Sequence, residues 1–436
     1  MNNDTLARHL GLGVLVVYGI GDILGAGIYA LVGKVAGSAG TDTTLAFVVS
    51  GVLALVTGLS YAELAARIPH SAGASAYTAD AFRHPFWPFL VGMLVLTSGI
   101  TSAATAALAF HGYLEVFVAL PALLAALLLI AALTALNYVG IKHSARTNNV
   151  LTAIELTGLL LVIVVGMRYA LSTHEPVQLA RALEPDLDTA ALLAGVTLAF
   201  YAFVGFEDLV NLAEEAKDPT RDIPRALLIA VLVSTVIYLL VVAVVLWTMT
   251  PAEAAATERP LLEVLVRAGH AVPKPLFAVV AIVAISNTAL ANSIMASRLL
   301  YGMARQRLLP AALTRLHGTR RTPWVTIVLT GVFSLLLVAS GSVTVLAQTT
   351  GAILMLVFMF VHLSAILTRR RQPAPPGRFT APRIVPYLGV SLCVLLLTRF
   401  PIAVYQRLAL IVVASFAVFL LLRTRPPATV PEAERE

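Results

Sequence analysis

The sequence predicts an all-α integral membrane protein of twelve transmembrane helices, and three observations carry that reading. Only 12% of the 436 residues are charged and 59% are apolar, whereas soluble domains carry about 25% charged residues. The mean hydropathy is +0.89. The apolar residues fall in blocks of about 20, the length that crosses roughly 30 Å of hydrocarbon as a helix. The apolar–polar alternation of a transmembrane barrel strand is absent.

Taken in order, the spans are expected at 11–36, 43–66, 86–112, 118–137, 150–170, 190–212, 226–249, 273–298, 323–340, 344–367, 384–400 and 405–423. Only Gly341 and Ser342 separate the ninth from the tenth. An even number places both termini on one side. If that side is cytoplasmic, 22 of the 30 Lys and Arg residues face the cytoplasm, the bias expected of an inner or plasma membrane protein. The net charge of +7 is therefore a matter of topology, most visible between Arg298 and Arg321 and at Arg369, Arg370 and Arg371. Nucleic-acid binding would need such charges on a soluble domain, and none is evident. Residues 1–10 read as a short polar tail, and the first apolar segment is too long for the core of a cleavable signal. The Pro373-to-Pro376 segment reads as a cytoplasmic linker, and the tail 426–436 as disordered and cytoplasmic. Cys393, the single cysteine, excludes a disulfide framework.

Two of the spans are interrupted. The first carries Gly19, Gly21, Gly25 and Gly27 together with Asp22. Glycine costs about 1 kcal/mol against alanine inside a helix, and an aspartate at the bilayer centre about 2.5 kcal/mol or more. Non-helical backbone survives at that depth only where it is buried in protein or lines a cavity. The sixth span is broken at Gly205, with Glu207 and Asp208 just beyond it. Spans one and six each begin a set of five, and paired interruptions in corresponding places mark the binding site of an inverted-repeat transporter. The repeats would be 11–170 and 190–368, with two extra helices at 384–423 and one polytopic domain over 1–425. Unwound backbone frees N–H groups at the start of a half-helix, where a carboxylate is held without arginine. Free carbonyls and an acidic side chain suit an ammonium or another cation. The ligand indicated is a small zwitterion or amine.

These residues also carry a resemblance. Gly21-x-x-x-Gly25-Ala26-Gly27-Ile28 in span one and Phe203-Val204-Gly205-Phe206-Glu207 in span six, leading into Ala213-Glu214-Glu215-x-Lys217-Asp218-Pro219-x-Arg221-Asp222-Ile223-Pro224-Arg225, resemble the amino acid–polyamine–organocation permeases. So do Tyr61-Ala62-Glu63-Leu64 with Pro69-x-Ser71-x-Gly73, and Ser297-Arg298-x-x-Tyr301-x-Met303-Ala304-Arg305 with Leu309-Pro310. The resemblance implies a leucine-transporter-type fold, alternating access, and substrate held between spans one and six with help from spans three and eight. The substrate-site candidates are Asp22, Ile23, Gly25, Ala26, Gly27, Ile28, Ser102, Tyr201, Phe203, Val204, Gly205 and Asn287. Gly25, Ala26 and Gly27 would offer backbone amides to a carboxylate. Asp22 stands where many members have a small or amide residue, and favours a substrate with a positive end. Proton-coupled relatives place a lysine where this chain has Glu155, so their mechanism does not transfer. Glu155, Glu207 and Asp22 are the proton-coupling candidates, sodium being the less favoured ion.

Asp208 is expected to point elsewhere on the sixth helix. Glu63, Glu214, Glu215, Lys217, Asp218, Arg221 and Arg225 read as ion pairs and caps tying the intracellular gate. Ser98, Thr101 and Ser102, set among Gly and Ala, read first as close helix packing, and Asn287 and Asn292 equally as helix–helix hydrogen bonds. His111 reads as interfacial. No metal spacing, phosphate loop or nucleophile elbow occurs, so neither an enzyme nor a cofactor is expected. The function expected is secondary transport of an amino acid or organic amine by a monomer or homodimer in the lipid bilayer. The alternatives are a potassium-type cation carrier on the same fold and, more remotely, a membrane sensor or enzyme.

Overall fold

The computed structural model describes residue 8 and residues 10–423 apart from 69–72, 141–144, 174–179, 181, 270–271, 307, 319, 321 and 373–375, with backbone alone at 145–147 and 423. The Pro69-to-Ser71 motif, Pro373 to Pro375 of the linker and the tail from Pro426 lie outside the described residues. Among those described, the chain is helical and forms no strand.

The first expected span is two helices, α1 (Leu12–Leu24) and α2 (Ala26–Ala39), parted at Gly25. The turn Gly40–Asp42 leads directly into α3 (Thr43–Arg67). There follow α4 (Gly73–Ala81), α5 (Phe86–Leu114), α6 (Ala122–Val139) and α7 (Ala145–Thr173). The helix α8 (Thr189–Ala199) starts at Asp188, whose Oδ1 accepts from the Ala190 and Ala191 amides at 2.9 and 3.3 Å. It gives way to two 3₁₀ segments, Phe200–Phe203 and Phe206–Leu212, so the sixth expected span is helical in its first half only. Proline opens each of α9 (Pro219–Thr248), α10 (Pro251–Ala256), α11 (Pro260–Arg267) and α12 (Lys274–Arg305), where the missing N–H would have no helical partner anyway. The chain closes with α13 (Trp324–Ser340), α14 (Val343–Arg371), α15 (Val385–Leu397) and α16 (Ile402–Arg423).

By length and composition, nine of the described helices are apolar enough to cross a membrane, counting the run Leu12–Arg67 as one. That run is 56 residues, more than twice the roughly 20 needed for one crossing. The sequence did not anticipate α4, α10 and α11, which are too short or too polar to register as spans. Burial ranks the long helices: α5 is 83% buried over its most apolar window, whereas α6 and α16 are 22% and 17% buried. So α5 runs through the centre, against α12 and α14. The outlying helices turn Leu128, Val139, Leu410 and Leu421 outward, as a lipid-facing surface requires.

Charged contacts hold the two ends. At the arginine-rich end Glu63 is fully buried. Its Oε1 accepts from Arg67 Nε and Nη2 at 3.1 and 2.9 Å and from Arg369 Nε at 2.9 Å, and its Oε2 from the Ala381 amide at 3.0 Å and from Arg369 Nη2. This joins α3 to α14 and to the segment before α15. The expected tie is therefore present for Glu63. At the opposite end the buried Asp42 takes the amides of Leu187 and Asp188, both at 3.0 Å. Leu187 is held at φ 57°, a conformation costly for a side chain with a Cβ. In the α10–α11 hairpin, the Thr250 amide and hydroxyl and the Arg267 guanidinium hold the Glu253 carboxyl down at about 2.

Removing Glu63 leaves two arginines with 7% and 17% side-chain exposure and no carboxylate between them. Breaking a buried pair in this way costs about 3–5 kcal/mol. Glu63→Ala is expected to lower the detergent-solubilised thermal midpoint substantially, read by loss of the monodisperse peak after heating. A midpoint equal to wild type would show that the cluster does not hold the helices together.

Candidate functional site

At Gly25 the backbone leaves the helix, with φ −42° and ψ −144°. The next amide, of Ala26, donates to Thr288 Oγ1 on α12 at 2.8 Å. A Cβ on Gly25 would lie 2.0 Å from that oxygen, so only glycine admits the cap. The Gly27 and Ile28 amides follow at the start of α2, where no intrahelical carbonyl reaches them. The positive end of the helix dipole faces the same way.

The second break is built against the first. Gly205 has φ 124°, and a Cβ on it would lie 2.5 Å from the Asp22 carbonyl oxygen. A Cβ on Gly27 would lie 2.6 Å from Ala202 Cα. The two unwound segments therefore touch backbone to backbone. Tyr238, on α9, serves both: its Oη lies 2.5 Å from Ile23 O and 2.6 Å from Ala202 O, and its one proton is shared between the two carbonyls. Glu207 folds back so that its Oε2 accepts from the Gly205 amide at 3.0 Å.

Between the breaks lies a cavity of about 30 Å³, room for about two waters. Asp22, Ile23, Gly25, Ala26 and Gly27 line it from the first break, and Tyr201, Ala202, Val204 and Gly205 from the second. α5 contributes Val95, Ser98 and Ser102, and α12 contributes Thr288, Asn292 and Met295. Glu207 and Asp208 complete the wall, so three of the lining residues are acidic and none is Lys, Arg or His. Asp22 Oδ2 is buried with no hydrogen-bond partner among the described residues. Tyr201 Oη and Ser102 Oγ, on two of the lining residues, are 3.1 Å apart.

Nine of the substrate-site candidates thus meet at one place: Asp22, Ile23, Gly25, Ala26, Gly27, Ser102, Tyr201, Val204 and Gly205. Three do not line it. Ile28 is fully buried in the surrounding core. Phe203 packs its ring on Phe47 and Tyr238, at centroid distances of 6.4 and 5.1 Å. Asn287 turns to α7, where its Nδ2 donates to Glu155 Oε1 at 3.3 Å. Glu155 is likewise buried outside the cavity, with Oε2 unpartnered and its backbone carbonyl accepting from Tyr29 Oη at 3.0 Å. Asp208, expected to point away, lines the wall. The reason is local: residues 206–212 form a 3₁₀ segment rather than an α-helix, which changes the rotation from one side chain to the next. Ser98, read as packing, faces the cavity, whereas Thr101 bonds Thr350 at 2.7 Å.

The residues missed include Thr288 and Tyr238, together with Val95, Ala202 and Met295 of the lining. Helical spacing contained the signal for the first, since positions 288, 292 and 295 share a face of α12 and positions 95, 98 and 102 share one of α5. Nothing in the apolar seventh span marked Tyr238 as the donor to two distant carbonyls.

The sequence profile of the family described as amino acid permease matches residues 10–422, nearly the whole chain. The chain belongs to that family. This permease is 27% identical to the branched-chain amino acid permease of Bacillus subtilis, over 96% of this chain and 92% of that protein. It is 31% identical to cationic amino acid transporter 4 of Mus musculus, over 86% of this chain and 61% of the mouse protein. It is also 25% identical to the methylthioribose transporter of Bacillus subtilis, over 92% of this chain and 90% of that one. The permease is accordingly a multi-pass membrane protein of the amino acid–polyamine–organocation group.

Because Gly205 touches the Asp22 backbone at a positive φ, Gly205→Ala both strains the backbone and pushes the two breaks apart. The variant is expected to reach the membrane at near-normal levels while losing at least tenfold in transport rate. Tyr238→Phe keeps the ring and removes the shared donor, costing about 1–3 kcal/mol for buried carbonyls left unmet. It is expected to lower the thermal midpoint and the transport rate together. Wild-type rates in both variants would show that the contact between the breaks is dispensable.

Proposed function

We propose that this permease is a secondary active transporter, a proton-coupled symporter or an exchanger, that moves an amino acid or organic amine with a cationic end by alternating access. The observation that carries the reading is the cavity between the breaks, faced by Asp22, Glu207 and Asp208 and by no basic side chain. A substrate ammonium would lie against that acidic wall, Asp22 first. Its carboxylate, where it has one, would take the amides at the start of α2. Ser102 and Tyr201 would close over it, and Ile28, Phe203 and Asn287 would act from behind the lining. Family membership supports amino acid transport in general. The acidic wall supports the narrower choice.

In the proposed topology the chain crosses the membrane twelve times, as two inverted repeats of five helices plus α15 and α16. Both termini are cytoplasmic and the membrane is the plasma (inner) membrane. A monomer or homodimer would suffice, and no cofactor is needed. An amino acid does not fit in about 30 Å³, so admission requires the helices around the breaks to part, first on one side and then on the other. The α5–α12 pair that walls the cavity is the natural partner against which the two broken helices would rock.

Protonation of Asp22, Glu207 or Glu155 would supply the coupling. A carboxyl that crosses as the neutral acid avoids the roughly 2.3 kcal/mol per charge set by 100 mV of potential. Glu155, anchored by Asn287 away from the substrate, is the member of this set best placed to exchange a proton without losing contact with the cargo. The runner-up is an inorganic cation carrier, which the small volume of the acidic cavity favours.

Uptake of a radiolabelled panel (neutral and cationic amino acids, putrescine, rubidium) into proteoliposomes, with and without a pH gradient, tests the reading. Asp22→Asn is expected to cut uptake of cationic substrates at least tenfold, and Glu155→Gln to abolish pH-driven accumulation while sparing exchange. Uptake of rubidium alone would transfer the case to the runner-up. Unchanged cationic uptake in Asp22→Asn would remove Asp22 from the substrate site.

A further inference from the structure

A second and larger cavity, about 240 Å³, is lined by residues farther along α2 and α5 than the first, toward the end that the proposed orientation places outside. It shares two walls with the first. Ala30 and Lys34 line it from α2, one and two turns beyond Gly27, and Leu108 and Ala109 line it from α5, about two turns beyond Ser102. Glu258, in the turn between α10 and α11, Ala122 at the start of α6, and Ser342 and Val343 at the start of α14 complete it. Its volume approaches the roughly 300 Å³ at which small-molecule pockets begin.

The charges in it are two and opposite. Lys34, half-buried on an otherwise apolar wall, makes no ion pair and no hydrogen bond among the described residues. Glu258 is held in place from outside the cavity. Its Oε2 meets His111 Nδ1 at 3.1 Å, and the far ring nitrogen of His111 donates to the Leu120 carbonyl at 2.9 Å. The loop can come this close only because residue 112 is glycine: a Cβ there would lie 2.8 Å from the Glu258 carbonyl oxygen. Glu258 Oε1 has no partner among the described residues. A free ammonium and a carboxylate on the walls of one cavity, which Leu108, Ala109 and Val343 also line, are complementary to one class of molecule.

We propose that this vestibule is a loading subsite for a zwitterionic amino acid, in which Lys34 takes the α-carboxylate and Glu258 the α-ammonium before the Tyr201–Ser102 closure opens. The apolar wall would take the side chain. The inference rests on the proposed transport of amino acids and on its orientation, and adds to them a second stop on the outer path. It makes the outer KM a property of residues that the cavity between the breaks does not contain.

The test compares whole cells, which present the outer face, with inverted membrane vesicles, which present the inner one, for a radiolabelled amino acid that the wild type transports. Lys34→Gln and Glu258→Gln are each expected to raise the outer KM five- to tenfold with the maximal rate and the inner KM unchanged. For the corresponding amine lacking the carboxylate, Glu258→Gln should raise the outer KM and Lys34→Gln should not. A merely structural role for Lys34 would move both substrates and both faces alike, and that result overturns the proposal. So does an outer KM within twofold of wild type in both variants. Wild-type protein that takes up no amino acid from either face overturns the transport reading and the subsite with it, whereas normal uptake with an unmoved outer KM overturns the subsite alone.

Discussion

Everything in this protein depends on two broken helices being each other's partner. Hydrocarbon tolerates no unmet backbone groups, and neither break meets all of its own. The Ala26 amide is met from α12 by Thr288, and the carbonyls of Ile23 and Ala202, one from each break, are met by the single hydroxyl of Tyr238. Gly205 and Gly27 let the chains approach until backbone meets backbone. A side chain at either glycine would separate the breaks, and separation would expose the carbonyls that Tyr238 now covers. Stability and site geometry are therefore set by the same few atoms.

That arrangement explains the character of the cavity. The start of α2, where amides lack intrahelical carbonyls, and the acidic Asp22, Glu207 and Asp208 share one wall, which in the proposed function would offer two kinds of partner to a ligand bearing two kinds of charge. The three acids are not equivalent. Glu207 already accepts the Gly205 amide and is part of the break itself. Asp208 is reached by Asn211 Nδ2 at 3.4 Å. Asp22 alone keeps a buried oxygen with nothing to bond, and in the proposed cycle it is the acid with most to gain from an ammonium.

Much of this was legible in the sequence, because the cost of glycine and acid inside an apolar span is large and local. Gly25, Gly205 and Asp22 announced themselves on that ground, and each lines the cavity. What stayed hidden depended on geometry that periodicity does not encode. Asp208 joined the lining where the chain beyond Gly205 is 3₁₀, and no composition rule distinguishes that from an α-helix over seven residues. Asn287 differs from Thr288 by one position, yet about 100° of helix rotation sends one to Glu155 and the other to the cavity. Tyr238 belonged to an apolar span and its role lay wholly in two carbonyls from distant parts of the chain.

The separation of Glu155 from the cavity bears on how coupling would work. Were substrate and proton to compete for one carboxylate, exchange would follow more readily than symport, since either ligand would displace the other. Glu155 instead sits behind the first break, on α7, linked to α12 through Asn287 and to α2 through the Tyr29 hydroxyl. On the proposed coupling, a change of charge there would act through Asn287 on α12, the helix whose Thr288 meets the Ala26 amide at the start of α2. In the proposed cycle the proton therefore need not touch the cargo. It alters how firmly α2 is held against α12, and that contact is the one the substrate's carboxylate must also use.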